Sequence, residues 1–404
     1  MPVNIYSTEP HQTYLEQLAR LAESDDPIHR ILCEVGKRQN WWSTETSWTR
    51  SYGRCPSGLL PYAIFVYESN EIPQRICLIE ISKKKPSVSE DNTIVVQDSL
   101  LGWLKICRFP SDPYLQTLQA VWNISMHARV VRYRPHWRCT LRLEDETGIH
   151  YIKVFRQGDG NVEDLHNAGV DIFSAASRGE LDFGVAKPER WDIELNAIWQ
   201  GNVLGSPAAP LLYGKRGTEV ARKMGLSCAS IPMANLHPTN ILDLPWHLRA
   251  TESYAQIVHI RIPELGNAVD KFYKKLVILH REISEHALLP IHGSPHPSQW
   301  LIADSRLGLV DFDRFSLGDP ELDVATFMAE VDFMKSTLIP TDALNQAFVD
   351  GYEARYGRLD LARLRLYRAH KRFAKVQRTA CSLKPDAPSR AVRHMALVWE
   401  ALEQ

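Results

Sequence analysis

The sequence carries no excess of either charge: 47 lysines and arginines face 48 acidic residues, a formal net charge of −1. That balance excludes a global field drawing the protein to nucleic acid or anionic lipid, so any anionic ligand must be held locally. Paired cysteines are lacking too. Cys33, Cys55, Cys77, Cys107, Cys139, Cys228 and Cys381 are odd in number and never in a C-x-x-C pair. This spacing excludes a disulfide framework and a cysteine zinc site, and it fits a reducing cytoplasm. No apolar run approaches the roughly 20 residues that span a bilayer, and the opening MPVNIYSTEPHQTYLEQ has no basic segment leading into an apolar one. The expectation is a cytoplasmic chain, neither exported nor membrane-spanning.

At 404 residues the chain exceeds the roughly 250–300 residues at which a single core stops growing, so two or three packed units are expected. Leu15, Leu18, Leu21, Ile28, Ile31 and Leu32 recur at helical spacing, with a break at Pro27. The runs PYAIFVYE and RICLIEIS flank a polar SNEIPQ as an antiparallel hairpin does, and TIVVQ follows as a further strand. Between them, Lys83, Lys84 and Lys85 read as a solvated turn. The prolines and Asp112 of RFPSDP mark a boundary. Beyond it come a short helix and three strand-like runs, ARVVRY, RCTLRLE and HYIKVF, joined by short turns as a meander. A helix over residues 161–176 and strands over 181–186 and 193–200 complete this part. After Gly201 the periodicity is helical, notably over 219–224, 262–285 and from 341 onward. Inside that helical stretch, residues 291–323 cannot form a long helix, because Pro295, Pro297 and Pro320 interrupt them. Such a loop in a helical lobe is where a site is built.

That segment, LLPIHGSPHPSQWLIADSRLGLVDFDRFSLGDPELDVATF, resembles the catalytic and metal-binding loops of aminoglycoside phosphotransferases, choline kinases and related small-molecule kinases. His292, Gly293, His296, Pro297, Leu301, Asp311, Gly318, Asp319, Pro320, Asp323 and Ala325 match the family pattern in order and spacing. The resemblance implies an α+β, bilobal protein-kinase-like fold with an antiparallel-sheet small lobe and a helical large lobe. The division follows as an N-terminal α+β extension (1–110), a small lobe (111–200) and a large lobe (201–404). By resemblance, Lys153 on the third strand pairs with nucleotide phosphates, and Glu163, with Asp164 as runner-up, is its ion-pair partner. Asp311 and Gln299, which stands where the family has asparagine, hold magnesium. Asp313 is equally a metal assistant or a structural carboxylate. Asp319 and Asp323 cap and brace the helix starting near Pro320, and His292 buttresses the loop. The stretch NLHPTNIL mimics the family's His-Pro-x-Asn core but lacks its context and reads as a helix-linking loop.

Ser294 departs from the pattern, standing where the family places its catalytic aspartate. Serine orients an acceptor hydroxyl but holds no charge, and a positioned general base is worth about 10²- to 10⁴-fold in rate. His296, two residues on, is the nearby group that titrates near neutrality and is the candidate substitute. Two main readings follow. One is an ATP- and Mg2+-dependent phosphotransferase acting on a hydroxyl of a sugar, amino alcohol or antibiotic-like metabolite. The other is a pseudokinase, a nucleotide-binding or scaffolding module with a protein partner on the N-terminal extension. A third, adenylyl transfer, has no residue that favours it. Trp41, Trp42, Trp48 and Trp103 suit either sugar stacking or, more commonly, a small core.

Overall fold

The computed structural model describes residues 21, 23–55, 63–71, 74–87, 92–125, 127–158, 161–284 and 286–403. Leu15 and Leu18 lie outside the described residues. Helix α1 (Asp26–Gln39) starts with Pro27 in its first turn, where a missing N–H costs nothing, and buries Ile28, Ile31, Leu32 and Val35. That apolar face covers a five-stranded antiparallel sheet made of β1 (Trp48–Arg54), β2 (Ala63–Ser69), β3 (Ile76–Ser82), β4 (Thr93–Asp98) and β5 (Gly102–Arg108), in the order β1-β2-β3-β5-β4. β2 and β3 form the expected hairpin. Their residues are buried on both faces, which is why both read as continuous apolar runs rather than as alternation. β1 and β5 have no counterpart in the sequence reading: WTRSYGR lacks an apolar pattern and GWLKICR follows a turn too tight to stand out. That turn needs Gly102, at φ +83°, since a Cβ would meet the Ser82 carbonyl at 2.8 Å. The tryptophans pack this core: Trp42 lies 5.5 Å from Trp41 and 5.0 Å from Trp48, and its Nε1–H donates to the Leu32 carbonyl at 2.8 Å. Lys83, Lys84 and Lys85 are exposed.

After α2 (Leu118–Ile124) comes the expected meander of β6 (Arg129–Arg134), β7 (Arg138–Asp145) and β8 (Gly148–Phe155), then α3 (Val162–Ser177), capped by the Asn161 side chain. Of the next three strands, β9 (Phe183–Gly184), β10 (Pro188–Asp192) and β11 (Ala197–Gly201), only the last two join the second sheet, whose order is β10-β11-β8-β7-β6. One face of it buries Cys139, Leu141, Ile152, Val154, Ala197 and Trp199 against Ile64, Val66 and Leu78 of the first sheet. The residues between these, Arg138, Lys153 and Ile198 among them, therefore point the other way, toward the helical part.

The helical part contains α4 (Gly217–Cys228), α5 (Leu244–Arg261), α6 (Gly266–Glu282), α7 (Pro320–Val331), α8 (Thr341–Tyr356), α9 (Leu361–Ala380) and α10 (Ala387–Glu403) around one apolar core. Short strands frame the irregular segment: β12 (Ser206–Pro207), β13 (Ile241–Leu242), β14 (Leu289–Ile291), the hairpin β15 (Trp300–Ala303) and β16 (Arg306–Leu309), and β17 (Ser316–Gly318). β13 pairs with β17, so NLHPTNIL, expected as a plain loop, ends in a strand beside the site segment. β9 pairs with β16 and links the two parts. The first sheet also reaches the helices: Arg54 bridges Ser382, the Cys55 N–H donates to the Cys381 carbonyl at 2.9 Å, and Leu383 sits in the first sheet's core. Among the described residues no helix is long and apolar enough to cross a membrane.

Candidate active site

Residues 292–299 leave β14 through Gly293, at φ +77°, where any Cβ would collide with the Arg314 carbonyl. The N–H groups of His292 and Gly293 each donate to a different oxygen of Asp323, both at 2.8 Å. Asp323 thus braces the loop from α7, as the resemblance implies. Burial pushes its carboxyl up to about 7, against the two backbone donors. His292 is fully buried, lies against Phe312 at 4.3 Å between ring centroids, and places Nε2 3.2 Å from the Val310 carbonyl. Burial lowers it to about 4, so it is a neutral buttress. Asp319 behaves differently from expectation. It stands at the N-cap position of α7 but makes no capping bond. Its carboxylate instead takes the Arg363 guanidinium at 3.1 Å, the Tyr367 hydroxyl and His286 Nε2 at 2.6 Å. His286, Asp319 and Glu321 lie within ligand range of one another, but Asp319 is already engaged by these three groups.

The charged centre forms where the second sheet faces the segment after β16. Lys153, 5% exposed, places Nζ 2.9 Å from Asp311 Oδ1 and 2.5 Å from Asp313 Oδ1. Arg138, one strand away, sets its guanidinium on both oxygens of Asp311 at 3.0 and 3.3 Å and on Asp313. Gln299 Nε2 donates to Asp311 Oδ2 at 3.3 Å, while its Oε1 accepts the His296 N–H at 2.7 Å. Burial alone would raise the Asp311 carboxyl, but Lys153 and Arg138 hold it well below the carboxylate range. Burial lowers the Lys153 ammonium and Asp311 opposes that shift. Asp311 has φ +72°, a backbone conformation uncommon for a residue with a Cβ and frequent at functional sites.

Lys153, Gln299 and Asp311 are therefore brought together, and Asp313 joins them. Glu163 does not. It is exposed in the first turn of α3 with its backbone N–H on Asn161, and Asp164 is exposed beside it. The two aspartates of the large lobe already satisfy Lys153, so neither carboxylate of α3 is its partner. Ser294 is half-buried, its N–H 3.3 Å from His292 Nδ1 and its carbonyl accepting the His296 N–H at 2.8 Å. The His296 ring turns to Glu330, 3.6 Å away. Burial lowers His296 to about 4, against the attraction of Glu330, so it is a poor proton acceptor at neutral pH. Sequence reasoning missed Arg138; the signal was the alternation of RCTL, which puts Arg138 and Thr140 on one face and Cys139 and Leu141 on the other. It missed Lys371 of α9 as well, lowered to about 7 by burial and then by Arg314, against Asp323.

The oxygen donors of Asp311, Asp313 and Gln299 are of the hard type magnesium prefers. All three are committed, however: the carboxylates to two cations and the amide oxygen to a backbone N–H. In this arrangement they do not fit a divalent ion. Behind them a cavity of about 50 Å³ remains, lined by Leu165, Ile172, Ile198 and Phe312. Ile198 and Gln200 of β11 form one wall of it, and Asp311 and Asp313 stand at its edge. A groove of about 400 Å³ lies elsewhere, between α4 and the β15–β16 turn, and holds none of the expected site residues.

Comparison with known proteins agrees with the fold. Residues 210–367 match the model of the phosphotransferase enzyme family, which bears out the resemblance carried by the 292–323 segment. Among solved structures, an amicoumacin kinase in complex with AMP-PNP, Ca2+ and Ami is 13% identical, with a TM-score of 0.53, covering 70% of this chain and 93% of its own. A choline kinase from Streptococcus pneumoniae is 15% identical, with a TM-score of 0.44, covering 69% and 97%. The first of these shows that the chain has the kinase-like α+β fold. No curated protein matches.

Proposed function

We propose that this chain is a small-molecule phosphotransferase that takes a nucleotide between its second sheet and the Asp311 segment, and an acceptor hydroxyl beside Ser294. The observation that carries this reading is the meeting of Lys153 with Asp311 and Asp313, across some 160 residues of chain, at 2.9 and 2.5 Å. Phosphoryl transfer passes through a loose transition state, so a site needs fixed charge and position more than covalent chemistry. The acceptor oxygen attacks the γ-phosphorus, the bond to the β-phosphate oxygen breaks, and ADP departs. Ser294 holds the hydroxyl by hydrogen bonding while its proton leaves to solvent. The acceptor class is a sugar, amino alcohol or antibiotic-like metabolite, and ATP is the donor by analogy with the family. We divide the chain at residues 110 and 200 into an extension and two lobes, and place it in the cytoplasm, where buried free thiols are stable.

A second reading, a pseudokinase, is favoured by Ser294 and by the two cations that already saturate Asp311. Thermal-shift titration with ATP and ADP, with and without Mg2+, followed by a search for phosphorylated product among candidate acceptors, separates the two. A ligand at a hundred times its Kd stabilises by about 2.7 kcal/mol. A nucleotide shift with product supports the kinase, and a shift without product supports the pseudokinase. No shift with any nucleotide overturns the kinase and the nucleotide-binding form of the pseudokinase, and leaves only a scaffolding module.

A further inference from the structure

Kinases cover the nucleotide's phosphates with a glycine-rich turn between their first two strands and balance them with divalent metal. Here the β6–β7 turn is Arg134-Pro135-His136-Trp137, with no glycine, and arginines stand at both its shoulders. Arg134 and Arg138 oppose each other in register, and directly opposed residues of an antiparallel pair project on one face, the face of Lys153. Arg138 is 8% exposed and bound to both aspartates. Arg134 is exposed and has no ion-pair partner among the described residues. Desolvation, then repulsion from Arg132 and Arg138, lowers it to about 10, so it stays charged at neutral pH.

Charge arithmetic separates this site from a metal-dependent one. Lys153 with Asp311 and Asp313 sums to −1, which repels phosphate until a cation is supplied. Arg138 brings the sum to zero and Arg134 to +1, with no metal present. Donors remain after the carboxylates are satisfied: an ammonium has three and a guanidinium five. Arginine also matches phosphate oxygens bidentately.

The turn is fixed from outside the site. Asp112, 4% exposed, accepts from the Tyr133 hydroxyl at 2.7 Å and the His136 N–H at 2.9 Å. His136 Nε2 lies 2.5 Å from Glu80 Oε1 on β3 of the first sheet. Tyr114 packs on the His136 ring at 4.4 Å. A phosphate-covering glycine turn works by moving; this one is clamped by the N-terminal sheet, which suits side-chain recognition from a fixed platform.

We propose that Arg134 and Arg138 replace the divalent cation of this site, so that the chain binds the polyphosphate of a nucleotide without metal, on a β6–β7 turn held in place by Glu80 and Asp112. The proposal rests on the nucleotide reading above and makes it specific. Its test is isothermal titration of ATP into the full chain in EDTA and again in Mg2+, for the parent, Arg134→Gln and Arg138→Gln. The parent is expected to bind with the same affinity in both buffers. Arg134→Gln, an exposed change that leaves the buried pairs intact, is expected to weaken metal-free binding about ten- to a hundredfold, the size of one charge-assisted hydrogen bond. Arg138→Gln is expected to abolish metal-free binding and make what remains depend on Mg2+. Parent binding that requires Mg2+, or an Arg134→Gln affinity equal to the parent's, overturns the proposal and leaves the nucleotide reading standing. Absence of binding in every protein and buffer overturns both.

Discussion

At the scale of single residues, Ser294 is the position where chemistry and family pattern part. The loop around it is intact: Asp323 still collects the His292 and Gly293 amides, and Gly293 still makes the turn. Only the charge of the base is gone, and the ring of His296 is held by Glu330 rather than offered to a substrate. Ser294→Asp is therefore expected to raise turnover by about 10²-fold, the lower end of a general-base effect. The readout is ADP release in the presence of a fixed panel of acceptors, and equal rates in parent and variant would place the base elsewhere. Lys153, Asp311 and Gln299 could be named from the sequence because the segments around them resemble the family's motifs, and the fold brings the three side chains together. The partner of Lys153 was not, because an ion pair across 158 residues is chosen by where two lobes meet, and exposed Glu163 has no competing advantage over carboxylates that are already desolvated. Arg138 was visible only as one arginine among several until the sheet showed which face it shares.

At the scale of elements, strands with continuous apolar runs or clean alternation were found, and β1 and β5 were not, since their burial depends on which neighbour covers them. The long helical stretch from residue 341 resolves into α8, α9 and α10, and a buried ion network fixes their seat. Asp332, at the end of α7, takes Arg368 at 2.7 Å and Arg372 at 2.6 Å, with the Asp332 and Arg372 side chains each 3% exposed. Burial opposes the Asp332 charge, but the two guanidiniums lower its pKa overall. Asp332→Ala leaves two buried arginines without their shared carboxylate and is expected to cost about 3–5 kcal/mol, the usual penalty for removing one side of a buried pair. Urea unfolding of parent and variant measures it; a loss below about 1 kcal/mol, the worth of an exposed pair, contradicts the network's importance.

For the whole molecule, seven histidines carry the acid sensitivity: burial lowers His166 as well as the six that follow. Burial lowers His280, His292, His296 and His394 to about 4 and takes His247 and His370 well below their ordinary value. As pH falls from about 6.5 toward 4, the unfolded chain binds protons that the folded chain refuses, so stability drops. Asp323, raised to about 7, works in the opposite sense over the same window, since the folded state then binds the extra proton. Burial raises Glu321 too, in the same sense as Asp323, and the seven histidines outweigh these two carboxyls. The melting temperature is expected to fall steadily from pH 6.5 to pH 4.5, and a flat profile by calorimetry would count against neutral, buried rings.

The bridge from Arg54 to Ser382 and the amide bond from Cys55 to Cys381 give the first sheet a second anchor. Its broad face is bonded to the second sheet by packing, its edge is tied beside α9, and the second sheet meets the helices through Arg138 and Lys153. Two lobes joined at one place make a hinge, which opens under thermal agitation alone. Three bodies each fastened to the other two make a triangle, and a triangle yields only when one side lengthens or breaks. The mouth between the second sheet and the helices is thus braced from outside as well as by its own ion pairs, through the short contact at residue 54.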